Sequence, residues 1–266
     1  MSRDSLFWGL LLLIVGAIFL GNNLGYFSFD LRLLWPLFIV LLGVYILLGQ
    51  SYYSGRPVEG EQVILPLDGA SEAIVHIEHG AGSLRISGAS NKDELLSGTF
   101  HNVKATTDKS GNRLSARLRS TLSGGMFWLF PWNWGHRGHE WNFSLNADIP
   151  LTLDIETGAS DNKLDLSQIK LHKLDLDTGA SSTSIILPKA GGHSRVEISC
   201  GAASMNIEIP VGVAADIRSE SGLADISIDE ARFPRSGKHY ISPDYDSAAN
   251  TVDLRLETGV SSVKIR

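Results

Sequence analysis

The chain has 266 residues, 43% of them apolar, with 23 basic side chains against 29 acidic ones, a net charge of −6 and one cysteine. That length and composition make one substantial folded domain and a smaller segment. An acidic balance without any run of Lys or Arg excludes nucleic acid as a partner, and a lone cysteine excludes a disulfide framework or a CxxC metal site.

Residues 1–53 are expected to form a membrane hairpin. Residues 6–20 (LFWGLLLLIVGAIFL) carry no charge, and residues 33–48 (LLWPLFIVLLGVYILL) are equally apolar. Helices at about 5–22 and 33–50 are long enough, with their flanks, to cross a ~30 Å hydrocarbon layer. Trp8, Trp35, Tyr52 and Tyr53 sit at interfacial positions, and Pro36 falls in the first turn of the second helix. A signal peptide would account for the first segment alone, and a soluble hairpin would show a polar face that neither segment has. Two spans put both termini on one side. Arg3 and Arg56 flank the hairpin and Arg32 lies in its connection. That balance favours a cytoplasmic domain, with an extracytoplasmic one as the alternative.

Residues 54–62 read as a linker, and residues 63–266 as an all-β domain organised by one recurring phrase. The phrase is IEHGAG, IETGAS, LDTGAS, ISCGAA, SESGLA and LETGVS, anchored on Gly80, Gly158, Gly179, Gly201, Gly222 and Gly259. The four glycines from Gly158 to Gly222 are 21, 22 and 21 residues apart; the last gap, 37, is one repeat plus an insert at about 230–248. Apolar residues alternate on both sides of each glycine, as in Leu153, Ile155, Leu164 and Leu166. This is strand periodicity on either side of a corner. The expected fold is a single-stranded β-solenoid of ~21-residue coils, each burying its inner face against the next. Glycine at the corner allows a sharp turn and a close approach of neighbouring coils. Cys200 aligns with Thr157, Thr178, Ser221 and Thr258, which makes it a small core-facing residue.

The repeat blurs between 88 and 150. Residues 121–141, TLSGGMFWLFPWNWGHRGHEW, fit no coil. Their aromatics (Phe127, Trp128, Phe130, Trp132, Trp134) form either a loop that meets the membrane or a partner, or a cap over one end of the solenoid.

No catalytic constellation is evident. His136 and His139 lack helical spacing and read as solvated loop residues, so no metal or cofactor is expected. A second candidate surface lies two positions before each glycine: Glu78, Glu156, Asp177, Ser199, Glu220 and Glu257. Stacking brings its members within ~5 Å of one another. Such a column either attracts a cationic partner or keeps the face soluble.

The hairpin, through Asn22-Asn23-Leu24-Gly25 and then Trp35-Pro36-Leu37, resembles the LiaI/LiaF-type transmembrane region. The Gly-anchored repeats resemble toast-rack and adhesin-like β-helix domains, and the combination is similar to LiaF-like cell-envelope stress proteins of bacteria. The resemblance implies a membrane-anchored regulator that restrains a two-component sensor kinase. Family members often carry four spans, whereas the residues here give two. With no catalytic constellation, the protein is expected to be a two-pass, non-enzymatic one at the cell membrane. Its expected partners are lipid, a membrane protein and a second copy of itself. A surface adhesin and a polysaccharide-acting enzyme are the alternatives. The enzyme would need basic groups beside the acidic column.

Overall fold

Alternating Ile, Leu and Val punctuated by polar turns give strands throughout the computed structural model, which describes residues 60–89, 91–121 and 140–266. In chain order these are β1 (Glu61–Pro66), β2 (Glu72–Gly88), β3 (Glu94–Phe100), β4 (Val103–Ser110), β5 (Arg113–Ser120), β6 (Glu140–Leu145), β7 (Leu151–Asp165), β8 (Leu171–Ile186), β9 (His193–Glu208), β10 (Ala214–Ile228), β11 (Arg235–Ser236), β12 (His239–Ile241) and β13 (Thr251–Ile265). All belong to one compact unit. The helices expected at 5–22 and 33–50 lie outside the described residues.

The six long strands β2, β7, β8, β9, β10 and β13 each bend once, at the glycine of the recurring phrase. In β7, Leu153, Ile155 and Thr157 are buried before the corner, and Asn162 and Leu164 after it. A straight strand buries every second residue, so the odd step from Thr157 to Asn162 records the turn that keeps one face inward on both limbs. The coils stack in parallel with strict register: Ile77 lies on Ile155, Ile155 on Leu176, and Leu176 on Ile198. This ladder of aliphatic side chains is the core, each fully buried member contributing about 1.5–3 kcal/mol.

The corner glycines are needed for packing, not for turning. None of the six has a positive φ. A Cβ on Gly158 would stand 2.3 Å from the carbonyl oxygen of Gly80, and one on Gly259 would stand 2.5 Å from that of Gly201. At these two corners the coils approach so closely that a side chain has no room. At Gly179, Gly201 and Gly222 the added Cβ would stand 3.0, 3.0 and 3.3 Å from the next glycine's oxygen, and at Gly80 it would meet nothing within 4 Å. Of the two reasons expected from the sequence, close approach is the one that operates.

The order of strands in space is β1-β3-β6-β2-β7-β8-β9-β13-β10-β12-β11, with β5 joined to β2 and β4 to β5. The final phrase does not lie last in space: β13 slots between β9 and β10, parallel to both along its whole length. One expectation needs correction: Trp141, read with the stretch that fits no coil, belongs to a coil. β5 pairs with the limb of β2 before its corner, Ile77 on Leu118, and β6 pairs with the limb after it, Leu84 on Trp141. β5 and β6 are therefore the two limbs of one more rung.

Trp141 accordingly leaves the aromatic insert and joins the core. It is fully buried, tilts against His79 at 4.8 Å and meets Phe100 edge-on at 5.5 Å, while its indole N–H donates to the His101 carbonyl at 2.9 Å. Phe100 stacks on Phe143 at 4.9 Å. These three rings close the β2 end of the core. At the far end the insert between β10 and β13 supplies the hairpin β11–β12 and the buried Phe233, with Arg232 over its ring at 4.8 Å.

Candidate functional site

The residue two places before each corner points outward, because its neighbour at the next position points in. Register then stacks these residues into one column: Glu78 beside Glu156, Glu156 beside Asp177, Asp177 beside Ser199, Ser199 beside Glu257, and Glu257 beside Glu220. The spatial order differs from the chain order, since Glu257 precedes Glu220. Ser199 divides the column into three carboxylates and two.

The column borders a continuous groove along the glycine corners. One stretch, of about 990 Å³, is lined by Glu78, His79, Lys104, Arg119, Glu156 and Asp177. A second, of about 510 Å³, continues from Asp177 past Ser199, Glu257 and Glu220. The floor is formed by the corner glycines and the residues just before them. There Thr157 donates to Thr178 at 2.9 Å, and the buried amide of Asn162 donates to Thr157 at 3.4 Å and Thr183 at 3.1 Å. Cys200 follows Thr178 in this inner row, and burial pushes its thiol up, so it stays protonated at neutral pH. Thr258, beyond Cys200, has no hydrogen-bond partner for its buried hydroxyl.

The groove has one basic end. Arg119, on β5, donates from its Nε to Glu78 at 2.6 Å, and that hydrogen bond with the attendant charge raises the guanidinium further. Lys104 stands opposite Arg119 on β4. These two cations were missed from the sequence because their strands carry no copy of the recurring phrase. The signal that could have found them is the alternation of Leu114, Ala116 and Leu118, which places Arg119 in line with Glu78.

Charge is handled differently on the two parts of this outer face. Away from the groove it is compensated: Lys173 reaches Asp175 at 3.1 Å and Glu197 at 2.9 Å, His76 lies 2.9 Å from Asp154, and Arg218 and His239 hold Asp216 at 2.6 and 2.9 Å. The Lys173 hydrogen bond holds Glu197 below the usual carboxylate range. Along the groove only Glu78 has such a partner. Among the described residues Glu156, Asp177, Glu220 and Glu257 make no ion pair. Glu156 still feels the charge of Arg119, which leaves Asp177, Glu220 and Glu257 as the carboxylates that favour a cation over a neutral group. Phe127, Trp128, Phe130, Trp132, Trp134, His136 and His139 lie outside the described residues. Thr121, just before that stretch, lines the basic end of the groove, and Glu140, just after it, pairs with Ser83 on the limb of β2 beyond the corner.

Fold and groove together define a class: a Gly-cornered parallel β-solenoid with an acidic, open face. Residues 54–208 match the family model for the N-terminal domain of toast_rack, and residues 6–47 match the LiaI-LiaF-like transmembrane region. The chain belongs to the toast-rack family and is a LiaF-like membrane protein. Its fold is also that of a crystal structure from Clostridium sporogenes, of a protein proposed to act in cell adhesion, with a TM-score of 0.70 and 23% identity over 79% of this chain and 99% of that one. No curated protein sequence matches the chain.

Proposed function

We propose that this protein is a non-enzymatic regulator of the envelope-stress response, anchored in the cell membrane, whose β-solenoid acts by holding a basic segment of another membrane protein in the corner groove. The partner we favour is a two-component sensor kinase, restrained while bound, with the solenoid on the cytoplasmic side. The observation that supports this reading is a contrast on the limb before the corner: ion pairs hold Asp175, Glu197 and Asp216, earlier in their strands, while Asp177, Glu257 and Glu220 make none among the described residues along the open groove. Such a surface gains from a partner that brings cations and discriminates against acidic ones.

Cross-linking in intact membranes followed by purification of the full chain tests it. Wild-type protein should retrieve a histidine kinase, and Glu156→Lys with Asp177→Lys should lose it while melting within a few degrees of wild type. Retrieval of the same kinase by both proteins would sink the groove as the docking surface.

A second reading is a surface adhesin, favoured by the fold shared with the Clostridium sporogenes protein proposed to act in cell adhesion. It requires the solenoid outside the cell, so a reporter fused after Arg266 and active only outside the membrane separates the two.

A further inference from the structure

β10 is the last long rung of the stack, and its two limbs end differently. Over residues 216–218 its outer edge is covered by β12, antiparallel, with Asp216 on Ile241, Ile217 on Tyr240 and Arg218 on His239. Beyond Arg218 no described residue pairs with that edge, so residues 219–228 leave a row of backbone donors and acceptors open. The side chains register the difference. Ile226 and Ile228 are half-buried, whereas Val263 and Ile265, one rung inward, are buried. Leu223 is 79% exposed and Val260 63%. The residue after the corner glycine also grows toward this end: in spatial order it is Ala81, Ala159, Ala180 and Ala202, then Val260 and Leu223. Natural sheets blunt an open edge with Lys, Pro or a covering segment. Among the described residues this limb has no Lys, Pro or covering strand, and its charged side chains are Glu220 and Asp225.

We propose that this edge is the site where a second copy of the chain adds, residues 224–228 of the two copies pairing antiparallel about Ile226. An open backbone edge accepts only an extended segment, and the other limb of this same strand already carries an antiparallel one. The sequence then selects a symmetric partner. Centring the two-fold on Ile226 sets it against Ile226 of the partner subunit. Ala224 then meets Ile228 of the partner subunit, and Asp225 meets Ser227 of the partner subunit. Inner residues meet inner residues, and the carboxylate meets a hydroxyl. Moving the centre to Asp225 would oppose that carboxylate to its own copy; moving it to Ser227 would oppose Asp225 to Asp229 of the partner subunit. Charge therefore disfavours both neighbouring registers. The paired segment is short against the ~1,200–2,000 Å² of a stable interface, so the association depends on the high effective concentration that membrane anchoring provides.

Register-specific cross-linking of the full chain in its membrane tests this. Asp225→Cys with Ser227→Cys places two thiols opposite two thiols at the ~4.5–5.5 Å that a disulfide spans. Mild oxidation should convert the double variant into a covalent dimer. Ser227→Cys alone leaves the thiols at diagonal positions about 7–8 Å or more apart and should yield roughly fivefold less. No dimer from the double variant, equal yields from the two, or a covalent adduct with a different protein in place of the dimer would each overturn the proposal. A second measurement avoids the core: Ser227 is exposed, and Ser227→Asp opposes two carboxylates on each side of the axis. Energy transfer between fluorophore-labelled copies in vesicles should fall by roughly half or more in this variant, and unchanged transfer overturns the pairing.

Discussion

A methyl group on the α-carbon of Gly158 would lie 2.3 Å from the carbonyl oxygen of Gly80, one rung away. That oxygen is backbone held by strand pairing on both sides of the corner, so it cannot swing aside as a flexible side-chain end could. Gly158→Ala should therefore cost about 1–3 kcal/mol of overpacking, set against the ~0.4–1 kcal/mol that alanine returns by restricting the unfolded chain. Gly80→Ala is the internal control. Nothing stands within 4 Å of its added Cβ, and its φ is ordinary, so it should melt at or slightly above the wild-type temperature. Gly179→Ala, with its Cβ 3.0 Å from the Gly158 oxygen, should fall between them. Thermal unfolding followed by circular dichroism gives the order, and equal losses at Gly80 and Gly158 would refute the close-approach account.

The clasp of β12 on β10 gives a pH dependence of known sign. Burial alone would push the Asp216 carboxyl up, but hydrogen bonds from His239 and Arg218, with the charge of both, outweigh it and leave the carboxyl below its usual range. A carboxyl lower in the folded chain than in the unfolded one stabilises the fold fully above its unfolded value, near 3.9, and loses that contribution as pH falls through the folded value. Asp216→Asn should lower stability by about 1–3 kcal/mol at neutral pH. Below about pH 4 the wild-type melting temperature should fall more steeply than that of the variant. Parallel curves for the two proteins would mean that this carboxylate does not carry the clasp.

Arg119 gives a third prediction. Its ion pair with Glu78 is exposed, so Arg119→Ala should change stability by less than about 1 kcal/mol. The same change removes a cation from the basic end of the groove and frees Glu78. A cationic peptide labelled with a fluorophore should then bind the groove more tightly, by roughly twofold to fivefold at low salt, with the gain lost at high salt. Weaker binding by the variant would show that Arg119 contacts the peptide's own acidic or carbonyl groups.

The inner columns and the acidic column were legible in the sequence because each is repeated, and a period near 21 lines up equivalent residues without any knowledge of their neighbours. Trp141 was not, because it sits in sequence beside an aromatic run; only its pairing with Leu84 reveals it as a rung residue. The order of the last two rungs was equally hidden. A repeat pattern says that Leu256 and Ile217 occupy inner positions on their own coils, but nothing in it says that the later coil lies inside the earlier one. Arg119 reaches the groove from 41 residues beyond Glu78 in sequence, with Lys104 opposite it on the same hairpin, in strands with no corner phrase to align.

The last prediction concerns residues 126–134, with three Trp, two Phe, a Met and a Leu between Gly125 and Gly135. Two roles are open to such a segment, closing the end of the core or meeting the membrane. Trp141, Phe100 and Phe143 already supply three buried rings at the β2 end, which favours the second role. Tryptophan favours the headgroup level because its ring is apolar while its N–H still needs a polar partner. The segment also departs from the end of the sheet at which the described chain begins. Fluorescence of a 57–266 fragment separates the roles. Its tryptophans are Trp128, Trp132, Trp134 and the buried Trp141, whose emission should not respond to lipid. Adding anionic vesicles should shift the emission to the blue. Trp128→Ala with Trp132→Ala should abolish most of that shift and leave the melting temperature nearly unchanged. A spectrum indifferent to vesicles, together with a large loss of stability in the double variant, would assign the segment to the core instead.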